Sequence, residues 1–305
     1  MKLKLSIQKD LKPMSPKPLN SGDTIGVMSP SSPFMPGAID GGIRYLQEKG
    51  FKLKFGKHMN DAQRFLAGKD VERVSDFMNF IRDPEVKAIV ATRGGQGSQR
   101  LLPFLDYDVI RANPKILMGF SDTTALQNGL FAKTGLISYS GYVLTIAPNP
   151  LIEHSLMSCL KGEPYHIHEG KAVHSGVVEG ILVGGNVSLL CALIGTPYQP
   201  NFEGKILLLE DVGVEPYNLD RLLSHLDLAG VFDQVAGIVM GEFDRCVSRL
   251  PYEGTVDDVI NEWSSRFKVP CLKDFPYGHG ERRCVLPIGK KIKLDVHASA
   301  VYVSG

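Results

Sequence analysis

The sequence predicts an α/β protein in two domains. The first is a parallel sheet with helices on both faces, and the second is a mixed α/β domain. Three observations lead there. Short apolar runs alternate with amphipathic helical stripes through the first half of the chain, the order of a parallel sheet covered by helices. A stretch rich in Pro, Gly and His, near residues 148–178, breaks that alternation. The chain has 305 residues, 43% of them apolar and 22% charged, enough for two ordinary domains with a sizeable core.

The elements follow in order. "DTIGVMSPSSP" (23–33) reads as a buried strand that stops at a Ser/Pro loop. "IDGGIRYLQEKGF" sets Ile39, Ile43 and Leu46 on one helical face, with Gly50 as its stop. "FKLKFG" alternates apolar and basic residues as a half-buried strand does. "DVERVSDFMNFIRDP" aligns Val71, Val74, Phe77, Met78 and Ile81 at helical spacing, with Asp70 as cap and Pro84 as terminator. "VKAIVATRGGQGSQRLLPFL" gives a strand, a glycine loop and a helical start, and "PKILMGFSDTTALQNGLFAKTG" repeats that order. "LISYSGYVL" is a further strand. This succession is that of a Rossmann or flavodoxin-like sheet. Ligands on such sheets bind at the carboxyl ends of the strands, where the loops at 29–33, 93–98 and 120–123 all lie.

Residues 148–178, with His154, His166, His168 and His174, read as a solvated linker. The expected division is therefore a domain over residues 1–165 and a second over residues 166–305. In the second, "GILVGGN", "GKILLLEDV" and "VAGIVMGEF" are strands. "NLDRLLSHLDLAG" and "TVDDVINEWSSRF" are helices, and "VLPIGKKIKLDVHASAVYVSG" supplies short strands and turns.

Composition excludes several classes. Net charge is +1, from 34 basic and 33 acidic residues, so bulk electrostatics favours neither nucleic acid nor an anionic membrane. The N-terminal "MKLKLSIQKDLKPMSPKPLNSGD" has no apolar core of a signal peptide. The most apolar long window, "ILVGGNVSLLCALIGTPY" (181–198), is interrupted by Asn186, glycines and Pro197, unlike a span of about 20 apolar residues. Five scattered cysteines without CxxC spacing form neither a disulfide frame nor a zinc site, and fit reduced thiols in a cytoplasm.

The chemistry is sharpest at "MGFSDTTAL" (118–126). A short apolar run ends on a bare serine, either a helix cap or a nucleophile on a tight strand-to-helix turn. A serine hydroxyl needs a base, the base needs a group that holds its tautomer, and the oxyanion needs donors. His279, between glycines in "DFPYGHGERR", lies on a turn, either a plain surface loop or an imidazole that reaches a site. Glu210 ends the apolar run "KILLLEDV". A charge there is costly without a partner, which could be His279 or a basic side chain. "TRGGQG" (92–97) is neither a Walker motif nor GxGxxG. As an oxyanion donor, the backbone of Gly94 or Gly95 would join the amide of Asp122, the residue after the serine. The order Ser, acid, His matches α/β-hydrolases, but Gly119-Phe120-Ser121-Asp122-Thr123 is not their G-x-S-x-G elbow. "YHIH" (165–168) offers a His-x-His pair with no third-ligand pattern.

Together these stretches resemble the LD-carboxypeptidase family, serine peptidases also described as muramoyltetrapeptide carboxypeptidases. The matching segments are "SGDTIGVMSPSSP", "RFLAGKDVERVSDF", "ATRGGQGSQRLLPFLDYD", "NPKILMGFSDTTAL", "GILVGGNVSLL", "ILLLEDVGVEPYNLDRLL" and "FPYGHG", in the family's order over most of residues 21–290. The resemblance implies a catalytic triad of Ser121, His279 and Glu210, a site between two domains, a cytoplasmic homodimer, and no metal or cofactor. The implied reaction cleaves the amide between the L-centre of a diamino acid and the terminal D-alanine of murein tetrapeptides, in cell-wall recycling. Arg93 and Arg221 are candidates for bidentate binding of the substrate's free carboxylate, with Asn186 a further substrate-binding candidate. Gln96 departs from the family, which often has an aromatic residue after the glycine pair. A related branch cleaves aminoacyl nucleotide antibiotics of the microcin C type. Arg93 and the "GGNVSLL" wording with Asn186 favour the carboxypeptidase branch. The alternative from another class is a two-lobed small-ligand binding protein without turnover.

Overall fold

The computed structural model describes residues 11–250 and 252–305. The beginning of the N-terminal stretch screened for a signal peptide lies outside them. Two compact units emerge among the described residues: 11–163 with Cys284–Gly289, and Pro164–Arg283 with Lys290–Gly305. None of the helices among the described residues is long and apolar enough to cross a membrane, and all five cysteines are thiols.

The first unit is built on a six-stranded sheet. Its strands, numbered in chain order, are β1 (Thr24–Met28), β2 (Lys52–Phe55), β3 (Val86–Ala91), β4 (Ile116–Gly119), β5 (Ser138–Ser140) and β12 (Leu286–Ile288), in the order β12-β5-β4-β3-β1-β2. The first five run parallel and β12 antiparallel. The central apolar runs are buried almost throughout, as strands covered on both faces must be. The edge strand β2 is mostly exposed rather than half-buried, and its lysines suit an edge that must not pair further. Met28 pairs with Ala91, and Val90 with Met118, so β1, β3 and β4 end level. The loops that follow them therefore leave the sheet at one edge.

Helix α1 (Asp40–Glu48) follows β1, and α2 (Asp70–Arg82) follows β2. Asp70 is not the cap of α2. Lys69 holds that position, and its N–H donates to the Glu72 carboxylate at 2.8 Å. Asp70 instead faces Arg73 and Arg100. Val71 is 62% exposed, outside the buried stripe, and Arg73 lies within it. After β3 come a 3-10 turn (Ser98–Phe104), α3 (Tyr107–Ala112), and α4 (Thr123–Thr134) behind β4.

The expected linker is structured. Asn149 accepts from the Ile152 N–H at 2.9 Å and Pro150 takes the first helical position, so α5 (Pro150–Lys161) starts inside the expected linker. It stops at Gly162. The next residues form β6 (Tyr165–His168) and β7 (Lys171–His174). His166 and His168 alternate outward on β6, and His174 Nε2 lies 2.8 Å from the Ser264 carbonyl.

The second unit has an eight-stranded mixed sheet. It adds β8 (Val177–Asn186), β9 (Ile206–Val212), β10 (Gly237–Asp244), β11 (Cys271–Lys273), β13 (Lys291–Asp295) and β14 (Ala300–Val303), in the order β6-β14-β13-β8-β9-β10-β11-β7. Strands β8 to β11 are parallel, and the rest pair antiparallel. Helices α6 (Val187–Cys191), α7 (Pro216–Leu228) and α8 (Val256–Arg266) accompany them. The division expected at 165/166 assigns all of 166–305 to the second domain, but β12 belongs to the first unit's sheet. Leu286 and Ile288 cover the edge of β5, and Pro287 is tolerated because the strand is itself an edge.

Candidate active site

Ser121 sits where β4 hands over to α4. Its φ is +63°, a left-handed conformation that costs a residue bearing a Cβ of order 1 kcal/mol or more. The surrounding bonds hold it there. Thr124 N–H donates to the Ser121 carbonyl at 2.8 Å, opening the helix directly behind the serine. Gly94 lies so close that a Cβ on it would come within 2.8 Å of the Ser121 Cβ.

Asp122 is fully buried, and its carboxylate gathers the three loops at the sheet edge. One oxygen accepts from Ser31 Oγ at 2.6 Å and from Ser98 N–H at 2.8 Å, and the other from Gly97 N–H at 3.1 Å. Ser98 Oγ donates to the Asp122 carbonyl at 2.6 Å. Ser32 completes the join: its N–H donates to the Gly94 carbonyl, and its Oγ accepts from Gln96 N–H at 3.0 Å. Gly95, at φ +118°, packs on the Ser32 side chain. The loops at 29–33, 93–98 and 120–123 thus form one hydrogen-bonded cluster in which Gly94, Gly95 and Asp122 accompany Ser121. Half-buried Arg93 donates from Nε to the Gly94 carbonyl (3.2 Å) and from Nη1 to the Pro33 carbonyl (3.3 Å) within the same loops.

Glu210 and His279 belong to the second unit. The apolar run Ile206–Leu209 buries β9 and carries Glu210 with it to zero exposure. His279 Nδ1 lies 2.7 Å from Glu210 Oε2, so the strand-end carboxylate is paired with the imidazole rather than with Lys or Arg. An Nδ1–H directed at the carboxylate leaves the ring lone pair on Nε2, the tautomer a general base needs. Burial pushes the Glu210 pKa above the ordinary glutamate value, while the hydrogen bonds from His279 and Asn186 pull it back.

The turn bearing His279 is laced to β10. Phe275 N–H donates to the Met240 carbonyl at 3.1 Å, and Glu242 N–H to the Tyr277 carbonyl at 2.8 Å. Arg283 holds the same turn, donating to the carbonyls of His279 (2.8 Å) and Gly280 (2.9 Å). Beside it, burial raises the Glu242 pKa and the Arg283 charge opposes that rise.

Asn186, expected against substrate, is buried beneath the carboxylate pair. Its Nδ2 donates to Glu210 Oε1 at 3.2 Å and Asp211 Oδ1 at 2.9 Å, and its Oδ1 caps α6 through Leu189 N–H. Asp211 in turn accepts from Ser188 N–H and Oγ. Arg221 lies on the exposed face of α7, bonded to Asn218 and stacked over the Tyr217 ring. The sequence signal for the Asp122 carboxylate was present in "SDTT" but points only to its amide. Ser31, Ser98, Asp211 and Arg283 carry no local pattern that marks them. Of the described side chains, His58, Asp61 and Glu72 bring three ligand atoms within 4.8 Å. The Glu72 carboxylate there is already engaged by the Lys69 N–H and ammonium.

Comparison with known proteins gives a consistent result. Residues 25–141 match the model of the LD-carboxypeptidase N-terminal domain, and residues 179–294 that of the LD-carboxypeptidase C-terminal domain. A probable murein peptide carboxypeptidase of Bacillus subtilis is 34% identical over 290 residues, covering 92% of this chain and 91% of that protein. The microcin C7 self-immunity protein MccF of Escherichia coli is also 34% identical, over 326 residues and 93% of each chain. The structure of MccF in its wild-type apo state superposes with a TM-score of 0.88 at 31% identity, over 96% of this chain and 99% of that one.

Proposed function

The chain belongs to the LD-carboxypeptidase family, and from that premise we propose that it is a serine carboxypeptidase acting on murein tetrapeptides. It hydrolyses the amide between the L-centre of the diamino acid and the terminal D-alanine, as a cytoplasmic homodimer in cell-wall recycling. The observation that carries the reading is the 2.7 Å bond between His279 Nδ1 and the buried Glu210 carboxylate. A carboxylate wholly removed from water and aimed at an imidazole is an arrangement for general-base chemistry.

In this mechanism Ser121 Oγ attacks the substrate carbonyl. His279 Nε2 takes the hydroxyl proton and then gives it to the departing amine of D-alanine. Glu210 fixes the tautomer and offsets the imidazolium charge. The oxyanion is met by the amides of Asp122 and of Gly94 or Gly95, at the positive end of α4. Water then cleaves the acyl-enzyme with His279 again as base. Arg93 receives the free carboxylate of the substrate.

The likeness to MccF supports a second reading, cleavage of a microcin C-type aminoacyl nucleotide. Purified enzyme offered a murein tetrapeptide and a processed microcin C analogue separates the two. The first reading predicts D-alanine release with the larger kcat/KM. Cleavage of the analogue with no release of D-alanine would replace it by the second.

A further inference from the structure

The buried stripe of α2 contains a cation. The Arg73 side chain is 1% exposed, a costly place for a guanidinium without partners. Leu or Met would fill that stripe without the cost of desolvating a charge. What the guanidinium adds is a set of aimed donors. Nη2 pairs with Asp70, and Nη1 donates to two carbonyls, Pro30 and Gly97, the latter at 3.0 Å. Those two acceptors come from two different loops. Each loop is also held on its other side by Asp122. Gly97 N–H donates to one Asp122 oxygen, and Ser31, the neighbour of Pro30, donates to the other. Arg73 and Asp122 thus grip the same two strips of backbone, one through carbonyls and the other through donors. Asp122 directly follows Ser121, and Gly97 closes the loop that starts with Gly94 and Gly95.

We infer that Arg73 is a positioning residue for Ser121 and its oxyanion loop. It fixes the Pro30 and Gly97 carbonyls, so that Ser31, Gly97 and Ser98 meet Asp122 and the serine keeps its left-handed backbone. This rests on Ser121 being the nucleophile. One guanidinium nitrogen serves both carbonyls while the other keeps the Asp70 pair, whereas an ammonium has a single nitrogen for all three acceptors and a different reach.

The test compares Arg73→Met and Arg73→Lys with wild type, with Ser121→Ala, and with Arg82→Ala as a control on the exposed end of the same helix. The readouts are kcat and KM for D-alanine release, the rate of serine phosphonylation by a fluorophosphonate, and the melting temperature. Arg73→Met is expected to lower kcat and the phosphonylation rate together by about 100-fold, the scale of a misplaced reacting group. KM should stay within about threefold, because the loss falls on the transition state. Arg73→Lys should recover part of both rates, and Arg82→Ala should match wild type. If Arg73→Met does not fold, the Lys variant decides alone. A folded Arg73 variant with wild-type kcat and phosphonylation rate overturns the inference and leaves a packing role. Full turnover by Ser121→Ala would instead defeat the nucleophile assignment beneath it.

Discussion

Glu210 is the residue whose burial and pairing pull in opposite directions. Its carboxylate has no exposure, and burial raises its pKa above the ordinary 4.5. The native state therefore holds this proton to higher pH than the unfolded chain does. The associated stability is complete below about 4.5 and is lost as pH rises through the elevated native value. Glu210→Gln removes that dependence, so the variant's melting temperature relative to wild type should increase between pH 4.5 and 7. A decrease over that window would refute the sign. Activity should move the other way. An amide facing Nδ1 favours the tautomer with its proton on Nε2, which cannot accept the serine proton, and kcat should fall about 10⁴-fold. Ser121, Glu210 and His279 stand out in the sequence because each interrupts a local pattern, a polar residue ending an apolar run or a histidine between glycines, and of the contacts expected among them the Glu210–His279 pair is found. The parts played by the Asp122 carboxylate and by Arg73 were not legible, because their partners at 30, 31, 97 and 98 lie elsewhere in sequence. Asn186 was legible as a marked position, and its bonds to Glu210 and Asp211 were not, because those partners lie 24 and 25 residues on in the sequence.

Strand β10 sets the position of the His279 turn. A Cβ on Gly241 would come within 2.0 Å of the Tyr277 carbonyl, a backbone atom with no flexible end to yield. Close approach of strand and turn thus requires glycine there. Gly241→Ala should cost about 1–3 kcal/mol of stability through overpacking. It should also lower kcat beyond what the loss of folded enzyme explains, since the displaced turn carries the imidazole. Thermal melts and active-site titration of the same preparation separate these effects. A variant with unchanged melting temperature and kcat would contradict this account of β10. The alternation in the first unit was readable because its central strands β1, β3 and β4 are largely apolar runs. Helix α5 was missed because Asn149-Pro150, a cap and first-turn pair, also has the composition of a loop. Strand β2 was overestimated in burial, since alternation in sequence does not tell a central strand from an edge.

At the scale of the whole molecule, the chain leaves the first unit at Glu163 and returns to it for Cys284–Gly289. That return was not legible, because β12 is three residues long and its partner, β5, lies far back in the sequence. The proposed mechanism needs Ser121 together with the Glu210–His279 pair, residues that lie far apart in the sequence. No single element therefore tests it as well as labelling the intact protein. The most direct measurement is reaction with a fluorophosphonate, followed by mass spectrometric mapping of the adduct in wild type and in His279→Ala. The account predicts one adduct, on the peptide containing Ser121, formed far more slowly in the variant. An adduct on another residue, or an unlabelled Ser121 in a preparation that still releases D-alanine, would contradict it.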